Sequence, residues 1–150
     1  MRYTRGDHPD ELKGVAWFAS LSAGARRALR RHADRIDVAP GTRLQRQGAR
    51  AQWVWVVADG EIEVRHDGEV VGVVPAGQAS GEVEVLTGHD SPVEVVAATS
   101  ARVYSLPAAA YHGMFRDPSF SSAVARRLAG YAESSSGASS TLTRNSSPAA

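Results

Sequence analysis

The residues able to do chemistry are few, and their spacing narrows what that chemistry can be. His89, Asp90 and Ser91 supply the residue types of a nucleophilic triad. Three adjacent residues cannot adopt the relayed hydrogen-bond geometry a triad requires. The five histidines, His8, His32, His66, His89 and His112, show no metal-ligand spacing such as paired helical histidines beside a glutamate. Cysteine is absent, which removes thiol catalysis, Cys-based zinc sites and disulfides. No Gly-x-x-x-x-Gly-Lys phosphate loop occurs. An enzyme is therefore not expected, and no metal or catalytic residue is assigned. What remains is the run Ser80-Gly81-Glu82-Val83-Glu84-Val85-Leu86. A glycine that opens a short helix leaves backbone N–H groups facing an anion. The carboxylate after it can serve a ligand or simply favour the helix dipole.

Three other groupings have a structural reading beside a functional one. Arg26, Arg27, Arg30, Arg31 and Arg35 could meet phosphate or an acidic partner, but read first as a solvated helix face. Glu84 and Glu94 read as solvated faces and not as a metal pair. Trp53 and Trp55 stand two apart and so share one strand face, as core, as rim or as an aromatic platform for a ligand.

Stepping along the chain gives the elements that would position these groups. The 150 residues suggest one domain, and the net charge of +1 gives no strong pull toward nucleic acid. No stretch approaches the ~20 apolar residues of a membrane span, and no signal-type segment opens the chain. A cytoplasmic protein is expected. Residues 1–11 read as a flexible lead-in, and Leu12 to Phe18 as a short helix. Ser22 is an N-cap for a helix over 23–34, with Ala25, Leu29, Ala33 and Ile36 on one face. From Ile36 to Leu106 the pattern changes to short Val-, Ile- and Trp-rich runs, at 36–38, 53–57, 61–64, 70–74, 93–97 and 102–106. Many alternate apolar and polar, as strands do. Pro40-Gly41, Asp59-Gly60 and Asp67-Gly68 are turn signals. Helix returns at Ala108–Phe115 and again after Asp117-Pro118, with Phe120, Val124, Leu128 and Tyr131 on one stripe. That stripe is expected to fold back on the strands, with a weak homodimer as the lesser outcome. Residues 134–150 are Ser-rich and expected to be disordered.

This order of helix, glycine-punctuated strands and two helices resembles the cyclic nucleotide-binding domain family over 12–133. Trp17 to Ser22, Pro40-Gly41 with Gln47-Gly48, and Asp59-Gly60 between two strands carry the likeness. The resemblance implies a mainly β fold with flanking helices, a double-stranded β-helix jelly roll of the cyclic nucleotide-binding type. It makes Gly77 to Pro92 the phosphate-binding cassette, in which the glutamate accepts from the ribose 2′-hydroxyl. An arginine nine residues on then pairs with the cyclic phosphate. Gly81, Glu82 and Val83 match that pattern. Ser91, followed by Pro92, stands where the arginine belongs, and Glu84 replaces a small residue.

The resemblance thus implies a stand-alone regulatory or ligand-sensing module with a degenerate cassette at Gly81, Glu82, Val83, Ser91 and Pro92. Weak or absent cyclic AMP and cyclic GMP binding is expected, and no other cofactor. The alternative is a scaffold or protein-interaction domain using the same fold. The expected partners are a small-molecule ligand and a protein. Direct nucleic-acid binding is not expected, since no helix-turn-helix follows the last helix, and neither is membrane association. Truncation after Glu133 is expected to leave the melting temperature unchanged, because the tail offers little apolar surface. A drop of several degrees in a thermal melt would show that the tail docks.

Overall fold

The run Val54 to Val57 is apolar on both faces because both faces are covered. The computed structural model describes residues 2–4, 11–15 and 18–130. The readings of 5–10, Trp17, Tyr131 and the Ser-rich tail fall outside those residues. Strand β4 (Trp53–Asp59) pairs antiparallel with β9 (Ala101–Pro107) at the centre of a five-stranded sheet. That sheet is completed by β1 (Arg2–Thr4), β2 (Asp34–Val38) and β7 (Ala79–Ser80), in the order β1-β2-β9-β4-β7. A second sheet holds β3 (Arg43–Gln45), β5 (Glu61–His66), β6 (Glu69–Pro75) and β8 (Glu94–Ala97), in the order β3-β8-β5-β6.

Residues of period two divide the core. Trp55 and Val57 of β4 join Ile36, Val38, Ile62, Val95, Ala97 and Val103 between the sheets. Val54 and Val56 point the other way, with Tyr104 and Leu106, against the helices. Those helices are α1 (Ala23–His32), α2 (Glu82–Thr87), α3 (Ala108–Met114) and α4 over 118–130. Ser22 caps α1 as read, its hydroxyl accepting from the Ala25 N–H at 3.1 Å. No helix among the described residues is long and apolar enough to cross a membrane.

The differences from the sequence reading are local. The short helix at 12–18 is instead two 3-10 turns, Glu11–Gly14 and Phe18–Ser20. The first strand of the roll starts at Asp34, inside what periodicity gave to α1. Arg2–Thr4 of the lead-in pair with β2. Three-residue strands such as β1 and β3 carry too few residues for an alternation signal. Gly60 is fixed by crowding: its φ is 76°, and a Cβ would overlap the Ser100 carbonyl oxygen. Asp67 and Gly68 both take positive φ, which is the two-residue hairpin geometry the sequence signals between β5 and β6. In α1, Arg26 and Arg30 lie over the Phe18 ring at 5.5 and 5.8 Å, so part of its charge stacks on an aromatic face.

The α4 stripe folds back onto the roll. Phe120, Ala123 and Val124 are buried. Phe120 meets Tyr111 and Phe115 edge-on, at centroid distances of 5.7 and 5.2 Å. Phe120→Ala is expected to cost roughly 3–5 kcal/mol in a denaturant titration; a loss below about 1 kcal/mol would mean that α4 is not docked in solution. A second prediction follows from the β2–β9 pair. The Arg102 Nε donates to Asp37 at 2.8 Å, and this bond holds the Asp37 carboxyl below its ordinary value of 3.8. A depressed carboxylate adds stability above its unfolded pKa and loses it as pH falls through the folded value. The stability gap between the native protein and Asp37→Asn is expected to be full at neutral pH and to close below about pH 4. A gap unchanged by acid refutes the coupling.

Candidate functional site

The cassette read from the sequence is built where β7 turns into α2. Strand β7 is held against β4 through Trp55↔Ser80 and Val56↔Ala79. Gly81 then caps α2 in the left-handed region, at φ 91°, with its Cβ position 3.0 Å from the Trp53 carbonyl oxygen. Any other residue would be both strained and crowded there. Helix α2 buries Glu82 and Val85, one turn apart, and exposes Val83 and Leu86. His112 of α3 donates from Nε2 to the Val85 carbonyl at 2.8 Å and ties the two helices together.

Glu82 is only 7% exposed, and a buried carboxylate needs a partner. That partner is Arg127, from α4. Its Nε donates to Glu82 Oε2 at 2.6 Å, one terminal nitrogen donates to the Gln78 side-chain oxygen, and the other donates to the Ala79 carbonyl at 3.0 Å. Three acceptors therefore converge on one guanidinium. Tyr111 stands in the same region: its hydroxyl is buried and has no hydrogen-bond partner among the described residues. Burial, and then the negative charge of Glu82, push its pKa well above the ordinary phenol value. Glu82, Gln78 and Ala79 thus present acceptors to a single donor group, the Arg127 guanidinium.

The other end of the cassette is closed on itself. Ser91 is buried, and its hydroxyl donates to the Val93 carbonyl at 2.8 Å and accepts from the Val93 N–H at 3.3 Å. Its backbone pairs with Gly48 and Ala49. The neighbouring Arg50 forms an isolated bridge with Asp90, and its guanidinium lies by Gly88, at the C-terminal end of α2. Of the five residues singled out from the sequence, Gly81 and Glu82 come together at the start of α2. Ser91 belongs to the ladder with 48–49, and Val83 and Pro92 are exposed. Glu94 faces outward and pairs with Arg43 at 3.3 Å. Trp55 is core and Trp53 rim, with ring centroids 6.0 Å apart; the buried Trp55 indole N–H has no partner among the described residues.

Arg127, Gln78 and Tyr111 are the residues that sequence reasoning missed. Arg127 follows Val124 by three and Phe120 by seven, so helical spacing does place it at the edge of the buried stripe. Which carboxylate it would meet, 45 positions away, is not a local property. No group of three His, Asp or Glu among the described residues could hold a metal ion. A cavity of about 620 Å³ opens between α1 and α3 and shares no residue with the cassette.

No curated protein matches the chain in sequence. Solved structures match its fold. The Catabolite Activator Protein of Thermus thermophilus superposes with a TM-score of 0.74 at 20% identity, covering 85% of this chain and 62% of that one. The sensor domain of the transcriptional regulator DNR from Pseudomonas aeruginosa gives 0.71 at 15% identity, covering 83% and 87%. The regulatory subunit of a cAMP-independent protein kinase A from Trypanosoma brucei gives 0.69 at 19%, covering 77% and 42%. The chain spans about three fifths of the length of the first structures it matches. The family model described as cyclic nucleotide-binding domain matches residues 35–117, more than half of the sequence. Those residues run from β2 through the roll, the cassette and α3, and by that match the chain belongs to the cyclic nucleotide-binding domain family.

Proposed function

We propose that this chain is a regulatory sensing module of the cyclic nucleotide-binding fold that works by binding, with no catalysis, and whose cassette captures cyclic AMP or cyclic GMP weakly or not at all. The observation that carries the reading is Ser91. The position that the family fills with an arginine holds a buried hydroxyl already committed to the backbone of Val93. A neutral hydroxyl replaces a bidentate, charge-assisted partner. Losing such a partner for a desolvated charge costs on the order of 2–5 kcal/mol, or roughly 30- to several-thousand-fold in affinity. Gly81, Glu82 and Val83 retain the ribose side of the cassette, while Ser91 and Pro92 do not retain the phosphate side. A kinase regulatory subunit described as cAMP-independent shares this fold, so a regulatory role without that ligand is compatible with it. The module is read as cytoplasmic, signalling to a protein partner without itself contacting nucleic acid.

A second reading, as a protein-interaction scaffold, is favoured by the β5–β6 hairpin. Strand β6 is a sheet edge, and Val70, Val71 and Val73 on it are 53%, 62% and 50% exposed. Exposed apolar edges are templates for pairing with another chain.

Isothermal calorimetry of the native protein with cyclic AMP and with cyclic GMP tests the weak-binding reading. The expected dissociation constants lie well above 1 μM, or no heat is seen. A value below about 1 μM, near −8 kcal/mol, for either nucleotide would sink the weak-binding reading.

A further inference from the structure

We propose that the outer edge of β6 pairs antiparallel with the same strand of a second copy of this chain, joining two four-stranded sheets across a two-fold axis. The proposal rests on the interaction reading of the β5–β6 hairpin, gives that surface its partner, and needs nothing from the cassette. Its first support is where exposed apolar surface lies. Six large hydrophobic residues are exposed among those described, and three of them, Val70, Val71 and Val73, fall within four positions of β6. Strand β6 ends the sheet β3-β8-β5-β6, so one row of its backbone groups has no strand beside it among the described residues. Natural edges are guarded by lysine, by inward-pointing charge, by proline or by a bulge. Here Glu69 and Pro75 stand at the two ends and the run between them is uncharged. A bulge is present: Val70 opposes Arg65, Gly72 opposes Val64, and Val71 opposes nothing. It does not hide the valines, which stay at least half exposed.

The hairpin is held in shape before any partner arrives. The Gln47 side chain donates to Asp67 Oδ1 and accepts from the Asp67 N–H, both at 2.9 Å, so the turn is clasped and little ordering cost remains for association. On β5, Glu63 and Arg65 pair with each other at 2.6 Å and add no net charge that a like copy would repel. The strand is also complementary to itself. Antiparallel about Gly72, Val71 meets the partner's Val73, Val70 meets the partner's Val74 and Glu69 meets the partner's Pro75. Parallel pairing would set like carboxylates side by side, which is destabilising. The rival edge, β3, offers three residues, and its Arg43 is taken by Glu94 at 3.3 Å. A β6-to-β3 contact also propagates head to tail, whereas β6 to β6 closes at two. Seven residues of strand make a small interface, which places this dimer among the weak, concentration-dependent ones.

The experiment is sedimentation equilibrium of the full chain without ligand, from the micromolar to the millimolar range. The native chain is expected to pass from monomer to dimer across that range. Val71→Lys and Val73→Glu, each falling at two symmetric places in the dimer, are expected to weaken it at least about tenfold. An equimolar mixture of the two variants is expected to regain association, because lysine at 71 of one copy then lies against glutamate at 73 of the other. A native monomer throughout, a dimer untouched by either substitution, or a mixture no tighter than its components overturns the proposal. Hydrogen exchange over 69–75 of the native chain reads the same edge without substitution, and protection is expected to rise with protein concentration. Fast exchange at every concentration refutes self-pairing alone. Full protection already at low concentration means that the edge is closed within the monomer, and it refutes the interaction reading together with the self-pairing.

Discussion

The pairing of β4 with β9 is the constraint on which the remaining structure depends. Both strands are covered on two faces, one by the facing sheet and one by helices. Each residue of β4 between Val54 and Val57 is therefore buried, and its register against β9 runs from Trp53↔Pro107 to Val57↔Val103. A slip of one residue would exchange the two faces and send Trp55 into the helical layer. The edge of β4 then holds β7, and β7 delivers Gly81 and Glu82 to the start of α2. The position of the cassette is thus inherited from the centre of the sheet.

The second layer of organisation is polar. Helix α4 is anchored in the core through the Tyr111, Phe115 and Phe120 rings. At its start, Asp117 accepts from Ser22 and Ser119 at 2.7 and 2.6 Å, and those bonds hold its carboxyl below the usual range, Ser119 contributing most. One carboxylate thereby joins the cap of α1 to the opening of α4. Toward the other end, Arg127 reaches Glu82. The helix is pinned at both ends by hydrogen-bonded carboxylates and in its middle by packed rings. Apolar packing supplies most of the burial, and the polar contacts fix its angle and rotation, since a rotated α4 would leave Glu82 buried without a partner.

Two of the orphan groups lie near these contacts. The Trp55 indole N–H points into the roll and the Tyr111 hydroxyl lies by Glu82, and neither has a partner among the described residues. Buried donors are normally satisfied. The Arg-rich face of α1 is a different case: Arg26 donates to the Ala19 carbonyl at 2.7 Å and stacks on Phe18, which ties part of that charge cluster to the preceding 3-10 turn.

Much of this was legible in the residues alone. Alternation in Glu61 to Val64, the Asp67-Gly68 turn and the Ser22 cap are local effects of side-chain period, backbone freedom and capping, and each stands where the sequence placed it. The fold class followed, because glycine-spaced β runs between helices admit few architectures. Local pattern failed where elements are too short to show a period, at β1, β3 and β7, and at 12–18, where 3-10 turns replace a helix. It failed more instructively at the site. Gly81, Glu82 and Ser91 can be read from the order of residues, since each is defined by its distance from the others along one segment. The pairing of Arg127 with Glu82 cannot. Helical spacing fixes only that Arg127 borders a buried stripe, and which acceptors it meets depends on how α4 crosses α2 and β7. Only the packing of those elements decides that, because a contact between residues 45 positions apart is set by the path of the whole chain and by no property of either neighbourhood.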